Sequence, residues 1–526
     1  MAASLSPATR ASVLRELTAD ELDLLVIGGG ITGSGIARDA AMRGLRTALV
    51  EAVDFGAGTS SRSSKLIHGG LRYLQQGDVA LVREAANERT VLRRIAPHLA
   101  QSLRIVMPTY RLSTQVKLKA GLFMFEKLAP VDADERHRMW DHAEALAAEP
   151  LLAATGLHGA ATFTEYLTDD ARLVIANVLA AHAAGALVTN HAEVTALTRG
   201  EATIRDTLCG QTHVVRARVI VNAGGPWVDE IRRQAAAQGG RRLQLTKGIH
   251  LVVPYDRLPV RHSVIMTARD KRSIFVVPRD GMTYIGTTDT FYPAPALVPE
   301  VTRDDAEYLL EATNRTFRDT HLTTADVTGS WSGLRPLLAE DGKAPSEISR
   351  REEIMVDDAS GLITIAGGKL TAYRRMAERI VNLVYERLGR RAEPCRTDTV
   401  ALPGGEAPAP ALPATLSVNA RGRLTRLYGS TCGALLARDP SADTVPGLPG
   451  VLRAEVEHAI DAEMALTLED VLERRTRALL FDPEQGLGGV EEVAAIMARR
   501  LDWDAARTTS EIGHYRRLAT SLRTFT

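Results

Sequence analysis

Three glycines in G-x-G-x-x-G spacing, Gly28, Gly30 and Gly33, are followed 18 positions later by Glu51. Each has a physical task in holding a dinucleotide. Gly28 permits a tight turn, Gly30 lets a pyrophosphate approach the backbone, and Gly33 allows a helix to pack closely on a strand. A helix that starts at such a turn directs free N–H groups and its positive dipole end at phosphate. Glu51 can accept hydrogen bonds from ribose hydroxyls. The glycines alone would suit any glycine-rich turn, so the reading depends on the elements around them.

Those elements are in register. Residues 23–27 form a short apolar run that reads as a buried parallel strand. A helical pattern follows (Ile36, Ala37, Ala40, Ala41), closed by Gly44, and residues 47–50 read as the second strand with Glu51 at its end. The loop after Glu51 is dense in Gly, Ser and Thr and ends in the compact string LIHGGLRYL at 66–74. Small hydroxyl residues let a backbone pass close to a large flat ligand and can bond its phosphates and ring edges. The strand–glycine–helix theme returns at 219–227 and at 362–371, without the full glycine spacing. A second nicotinamide-binding unit is therefore not visible, and the turn at 219–227 reads as a return of the chain to the first site.

Elsewhere, residues 170–184 read as a helix stopped by Gly185, and 244–335 as β-rich, with Arg279-Asp280-Gly281 as a hairpin signal. A helix is expected over 301–318. The Pro- and Ala-rich stretch 404–414 reads as a linker, with helical periodicity from there to the end.

At 526 residues the chain has room for two or three domains. Lys plus Arg and Asp plus Glu both number 64, and this zero balance argues against a nucleic-acid partner. Cys209, Cys395 and Cys432 are scattered and lack a C-x-x-C, which favours reduced thiols over disulfides or a metal. No secretory signal is visible in the first 20 residues, and no stretch approaches the ~20 apolar residues that span a bilayer. One stretch, 113–130, sets Leu122, Phe123, Met124, Phe125 and Leu128 among Lys117, Lys119 and Lys127. Basic residues beside apolar ones suit an anionic membrane surface. A buried amphipathic helix is the alternative.

The segments GGGITGSGIARDAAMRG, TSSRSSKLIHGGLRYL, KGIHLVVP, IGTTDT, SGLRPL, AGGKLTAYR and TLEDVLERRTR occur in this order. Together the chain resembles the FAD-dependent, respiratory glycerol-3-phosphate dehydrogenases, from about Asp23 into the last hundred residues. The resemblance implies a Rossmann-like α/β FAD-binding domain with an inserted β-rich substrate domain and a C-terminal helical domain. Its divisions would be a tail over 1–22 and an oxidoreductase domain over 23–400, followed by a linker over 401–415 and a helical domain over 416–526. FAD-binding parts would span about 23–103, 157–243 and 355–400, and substrate-binding parts about 104–156 and 244–354. The implied reaction oxidises sn-glycerol 3-phosphate to dihydroxyacetone phosphate, with hydride to flavin N5 and electrons on to a membrane quinone. It further implies non-covalent FAD, no metal, and a cytoplasmic enzyme peripheral on the inner face of the cell membrane. Oligomeric state stays open, a homodimer being one candidate.

Site residues follow from the same resemblance. His250 within KGIHLVVP is the candidate base, since a neutral imidazole takes a proton near pH 7. Arg72, Tyr73, Thr287, Arg335 and Arg350 would meet the substrate, with Arg351 as an alternative to Arg350. Arginine suits this task because its planar fork binds phosphate oxygens bidentately. Lys369, opening a helix after Gly367-Gly368, would face the flavin's pyrimidine edge or the substrate oxygen, and Arg335 would act with it and His250 in catalysis. The cofactor set is Gly28, Gly30, Thr32, Gly33, Glu51, Thr59, Ser60, Ser64, Lys65, His68, Gly69, Gly224, Gly368, Lys369, Leu370 and Thr371. Two rival readings remain: an oxidase delivering electrons to oxygen, and a flavin-binding protein without catalysis.

Overall fold

The computed structural model describes residues 4–68, 79–128, 131–237, 240, 242–339 and 352–525. Two sheets organise it. The first runs in the order Glu352–Val356, Ile363–Gly367, Thr212–Asn222, Leu22–Ile27, Thr47–Val50, Leu187–Thr189. Along this path the pairings are parallel except at the edge strand Glu352–Val356, and an antiparallel extension, Ala192–Thr198 with Glu201–Asp206, joins through Thr212–Asn222. Helices Ile31–Met42, Asp170–Ala183 and Tyr373–Arg387 contribute to the apolar cluster against this sheet. That explains the near-continuous apolar run in Leu22–Ile27, since a parallel strand covered on both faces has no wet side. The expected hairpin is present: Arg279 pairs with Met282, and Asp280 and Gly281 both take positive φ (53° and 81°), as a type I′ turn requires.

The second sheet is ten-stranded and gathers most of the strands between 101 and 338. Its strand Leu243–Pro254 is flanked by Met282–Gly286 and by Gly329–Leu338, both antiparallel. Strand Gly159–Leu167, expected with the nucleotide-binding part, pairs within this sheet instead.

Two expectations need correction, and the expected C-terminal helical domain is present with interruptions. The expected tail over 1–22 contains a helix, Pro7–Ala19, capped by the Ser6 hydroxyl. Val13, Leu14 and Leu17 join the core beside the parallel sheet, and Arg10 pairs with Asp206 at 2.8 Å. Within the expected linker, Leu402 is buried and its N–H donates to Ile95 O, so the start of that stretch is fixed to the body. The C-terminal part is not uninterruptedly helical. It holds a hairpin, Thr444–Val445 with Leu448–Leu452. Helix Arg453–Glu463 ends where Met464 turns to φ 54°, and Asp470–Arg475 is a π-helical turn. Buried ion pairs impose that winding: Arg474 and Arg475 both reach Asp54 at 2.6 Å.

Candidate active site

A cleft of about 610 Å³ opens at the carboxyl ends of the parallel strands. Open α/β sheets bind ligands at this place. Of the candidate cofactor residues, Gly28, Gly30, Thr32, Glu51, Thr59, Ser60, Gly224, Gly368, Lys369 and Leu370 line it. Gly28 takes φ 107° at the turn. A Cβ on Gly33 would lie 1.9 Å from Gly28 O, so only glycine lets the helix seat on the strand. The Ser60 hydroxyl accepts from Ile31 N–H at 2.9 Å, tying the loop to the helix start. Glu51 is held from both sides, Oε2 accepting from Gly29 N–H (2.7 Å) and Oε1 from Val53 N–H (2.9 Å). Burial raises its pKa and the two backbone N–H groups oppose that rise. Trp227 and the 295–297 stretch also line the cleft, which the glycine pattern did not indicate.

The other expected cofactor residues that the structure describes lie outside this lining. Gly33 does its work in helix packing. Thr371 donates to the carbonyl of half-buried His68 at 3.5 Å. Lys65 is turned away: its ammonium is buried against Asp170 (3.0 Å) and Ser61 O (2.9 Å). Ser64 faces His250 instead, with Oγ 2.9 Å from Nε2. Gly69, Arg72, Tyr73, Arg350 and Arg351 lie outside the described residues.

His250 sits mid-strand, paired with Gly286 on one side and Trp331 on the other. Its ring stacks on Trp331 at 4.6 Å and meets Tyr284 edge-on at 6.2 Å. A side chain at Gly286 would collide with the imidazole, since its Cβ would lie 2.1 Å from Cδ2. Burial, then the cations Lys65 and Arg335, hold the His250 pKa well below its ordinary value, so the ring is neutral at pH 7. Arg335 stands on the neighbouring strand. Its Nη1 meets Asp289 at 3.1 Å, and its Nη2 donates to the Thr287 hydroxyl and to Thr288 O, each at 3.2 Å. Thus His250, Arg335 and Thr287 are brought together on one sheet. The aromatic stack and Asp289 were not anticipated, because both depend on strand register.

The cleft offers glycine-backed phosphate space, a helix start with a short hydroxyl side chain beside it, and Lys369 at the opposite glycine turn. This donor set fits a dinucleotide, and the adjoining His250–Arg335 face offers a base and a cation. Fold and site together define a dinucleotide-dependent oxidoreductase.

Residues 23–374 match the family described as FAD dependent oxidoreductase, and 395–508 match the C-terminal domain of alpha-glycerophosphate oxidase. Over 524 residues the chain is 40% identical to the aerobic glycerol-3-phosphate dehydrogenase of Bacillus subtilis, covering 94% of each. The Staphylococcus aureus enzyme of the same name is 38% identical over 531 residues, with 96% of this chain and 95% of that one covered. The solved glycerol-3-phosphate dehydrogenase of Bacillus halodurans, complexed with FAD, matches with a TM-score of 0.81 at 34% identity, covering 99% of this chain and 98% of that one. The chain belongs to the aerobic glycerol-3-phosphate dehydrogenase family of FAD-dependent oxidoreductases.

Gly33→Ala tests the cradle. Overpacking a close contact costs about 1–3 kcal/mol, which predicts a hold on FAD weaker by roughly 5- to 150-fold. Flavin-to-protein absorbance ratios after dilution and gel filtration measure it.

Proposed function

We propose that this chain oxidises sn-glycerol 3-phosphate to dihydroxyacetone phosphate with non-covalently bound FAD and passes the electrons to a membrane quinone. The observation that carries this is the convergence of a neutral buried imidazole, a paired arginine and a dinucleotide cleft in one molecule of this family. Segments of about 23–103, 168–243 and 355–400 hold the cofactor, and about 104–156 and 244–354, joined by the strand Gly159–Leu167, hold the substrate. FAD, when bound, supplies the two-electron acceptor that no side chain provides.

The residues do the rest. Arg335 binds the phosphate with its fork, joined by Arg72, Tyr73 and Arg350, and Thr287 adds a hydroxyl. His250 takes the proton of the substrate's secondary alcohol. Ser64 occupies Nε2, while Nδ1 has no hydrogen-bond partner among the described residues and is the nitrogen that accepts. Lys369, at the start of the helical turn after Gly367-Gly368, balances negative charge at the cofactor edge of the cleft. Anaerobic addition of glycerol 3-phosphate to the yellow protein tests the reading. Bleaching of the flavin supports it, and a flavin left oxidised by glycerol 3-phosphate overturns it.

Among the described residues no helix is long and apolar enough to cross a membrane. Helix Leu112–Leu128 carries two apolar stripes. Leu118, Leu122 and Phe125 face inward, whereas Leu112, Val116, Phe123 and Met124 are more than half exposed. Phe125 therefore belongs to the core rather than to the expected surface cluster. Lys127 lies 5.4 Å from the Phe123 ring centroid, and Lys117 and Lys119 are exposed beside it. This outer stripe is the proposed contact with the inner face of the cell membrane, where the quinone resides. Replacing Phe123 and Met124 with Ser should shift the protein from vesicles containing anionic lipid into the supernatant, with dye-linked turnover retained. Unaltered sedimentation with such vesicles would count against the contact.

Oxygen as acceptor is the second reading, favoured by the oxidase after which the matched C-terminal domain is described. Turnover with a soluble quinone under anaerobic conditions, set against oxygen consumption in its absence, separates the two.

A further inference from the structure

The loop that offers Ser64 to His250 has little structure of its own. After the single turn Thr59–Ser61 it runs irregularly to Lys65, which sits at φ 57°, a conformation unfavourable for a residue with a side chain. Something outside the loop must hold it.

One carboxylate does most of this. Asp170 Oδ2 accepts from Ser63 N–H (3.0 Å) and from the Ser63 hydroxyl (2.7 Å). Its Oδ1 accepts from the Lys65 ammonium at 3.0 Å and from Arg477 Nη2 at 3.1 Å. Arg477 also donates to Ser61 O at 3.3 Å, and its Nε lies 3.1 Å from Asp169. Ser61, Lys65, Asp169, Asp170 and Arg477 are buried, and Ser63 is half-buried. Four residues beyond Arg477, Phe481 packs against Trp331 (6.1 Å) and Tyr284 (6.2 Å). Those two rings hold the same loop from its other side. Trp331 Nε1 donates to Ser63 O at 3.1 Å, and the Tyr284 hydroxyl donates to Ser64 O at 3.0 Å. The C-terminal domain thus supplies both an ionic and an aromatic support to the wall behind His250.

We propose that Arg477 is a positioning residue of the active site: acting through Asp170, it holds loop 61–65 so that the Ser64 hydroxyl faces His250 Nε2. This gives the C-terminal domain a part in the chemistry, and it rests on the reading of His250 as the proton acceptor. The bond made by one ring nitrogen sets which nitrogen of a histidine carries the proton. With Nε2 donating to Ser64, the Nδ1 lone pair stays available. Without Arg477 the buried Asp170 loses a cation, the loop loses its tie at Ser61, and both tautomers become populated. The fault is then in the proton step, not in substrate or flavin binding.

A double-mutant cycle with Arg477→Gln and Ser64→Ala tests this, using glycerol 3-phosphate and a dye acceptor. Each single change should lower kcat about 10- to 100-fold, as loss of an outer supporting contact does. KM should stay within about twofold, and bound FAD should be unchanged. The double variant should be no more than about threefold below the slower single variant, because both remove the same contact. Multiplying effects, or parental kcat in Arg477→Gln, would overturn the proposal. If Arg477→Gln fails to fold, Arg477→Lys keeps the buried charge without the fork and carries the same cycle. Failure of the underlying reading shows itself separately, as parental kcat in His250→Asn, and would remove the proposal with it.

Discussion

Replacing Arg335 with Ala is expected to lower kcat/KM for glycerol 3-phosphate by about 30- to 5,000-fold, equivalent to roughly 2–5 kcal/mol. A phosphate dianion leaving water must recover its hydration, and charge-assisted hydrogen bonds are about twice as strong as neutral ones. Arg335 is set up for this. Asp289 and the Thr287 hydroxyl fix the guanidinium plane, and the side chain remains 21% exposed, open to a ligand. Flavin content should not change, because Arg335 is not among the residues lining the dinucleotide cleft. Unphosphorylated glycerol gains nothing from the arginine and should be a poor substrate of the parent, so the variant should discriminate far less between the two. The ratio of their catalytic efficiencies is the measurement. Arg72→Ala should behave alike. An unchanged ratio in both would remove these arginines from the phosphate site.

The parts of the fold legible in the sequence are those decided within a few residues. Gly28, Gly30 and Gly33 could be assigned tasks because a turn, a phosphate approach and a helix contact each forbid a side chain locally. The hairpin at Asp280-Gly281 was legible for the same reason. What escaped was decided by distant partners. The π-helical turn at Asp470–Arg475 lies in a stretch of good helix formers, and its winding answers to Asp54, more than 400 positions away. Helix Leu112–Leu128 was legible as apolar and basic. Which stripe faces inward depends on what packs against it: Leu118 and Leu122 meet the second sheet, and Phe125 meets Val82 and Ala86.

Lys65 shows the same limit at the site itself. The resemblance implied a cofactor contact for it, but a lysine beside Asp170 in a dry interior is drawn into that ion pair. Burial and Arg477 pull its pKa down to about 7, against the opposing pull of Asp170 and Asp169. The serine next to it was assigned to the cofactor on the same grounds and turns toward His250. Ser63 and Lys65 on either side of it are both held by Asp170, whereas the Ser64 hydroxyl lies against His250.

His250→Asn should reduce kcat by about 10²- to 10⁴-fold, the usual contribution of a positioned acid or base, with FAD retained. Asn keeps most of the ring's bulk and a hydrogen bond to Ser64 but cannot take a proton. The pH dependence of the parent gives an independent check. Protonation inactivates a base, so activity falls as pH drops through its pKa. An unperturbed histidine would produce that fall near pH 6.5. Here burial and the cations Lys65 and Arg335 disfavour imidazolium, so the pKa is depressed and the fall moves to lower pH. The kcat plateau of the parent should therefore extend well below pH 6.5, measured with a dye whose own reduction is pH-independent over that range. Lys65→Met removes one of the two cations, so its acid limb should move upward, toward 6.5. A parent whose kcat halves near pH 6.5, or a Lys65→Met limb that moves downward, would mean that His250 does not feel these charges as the base must.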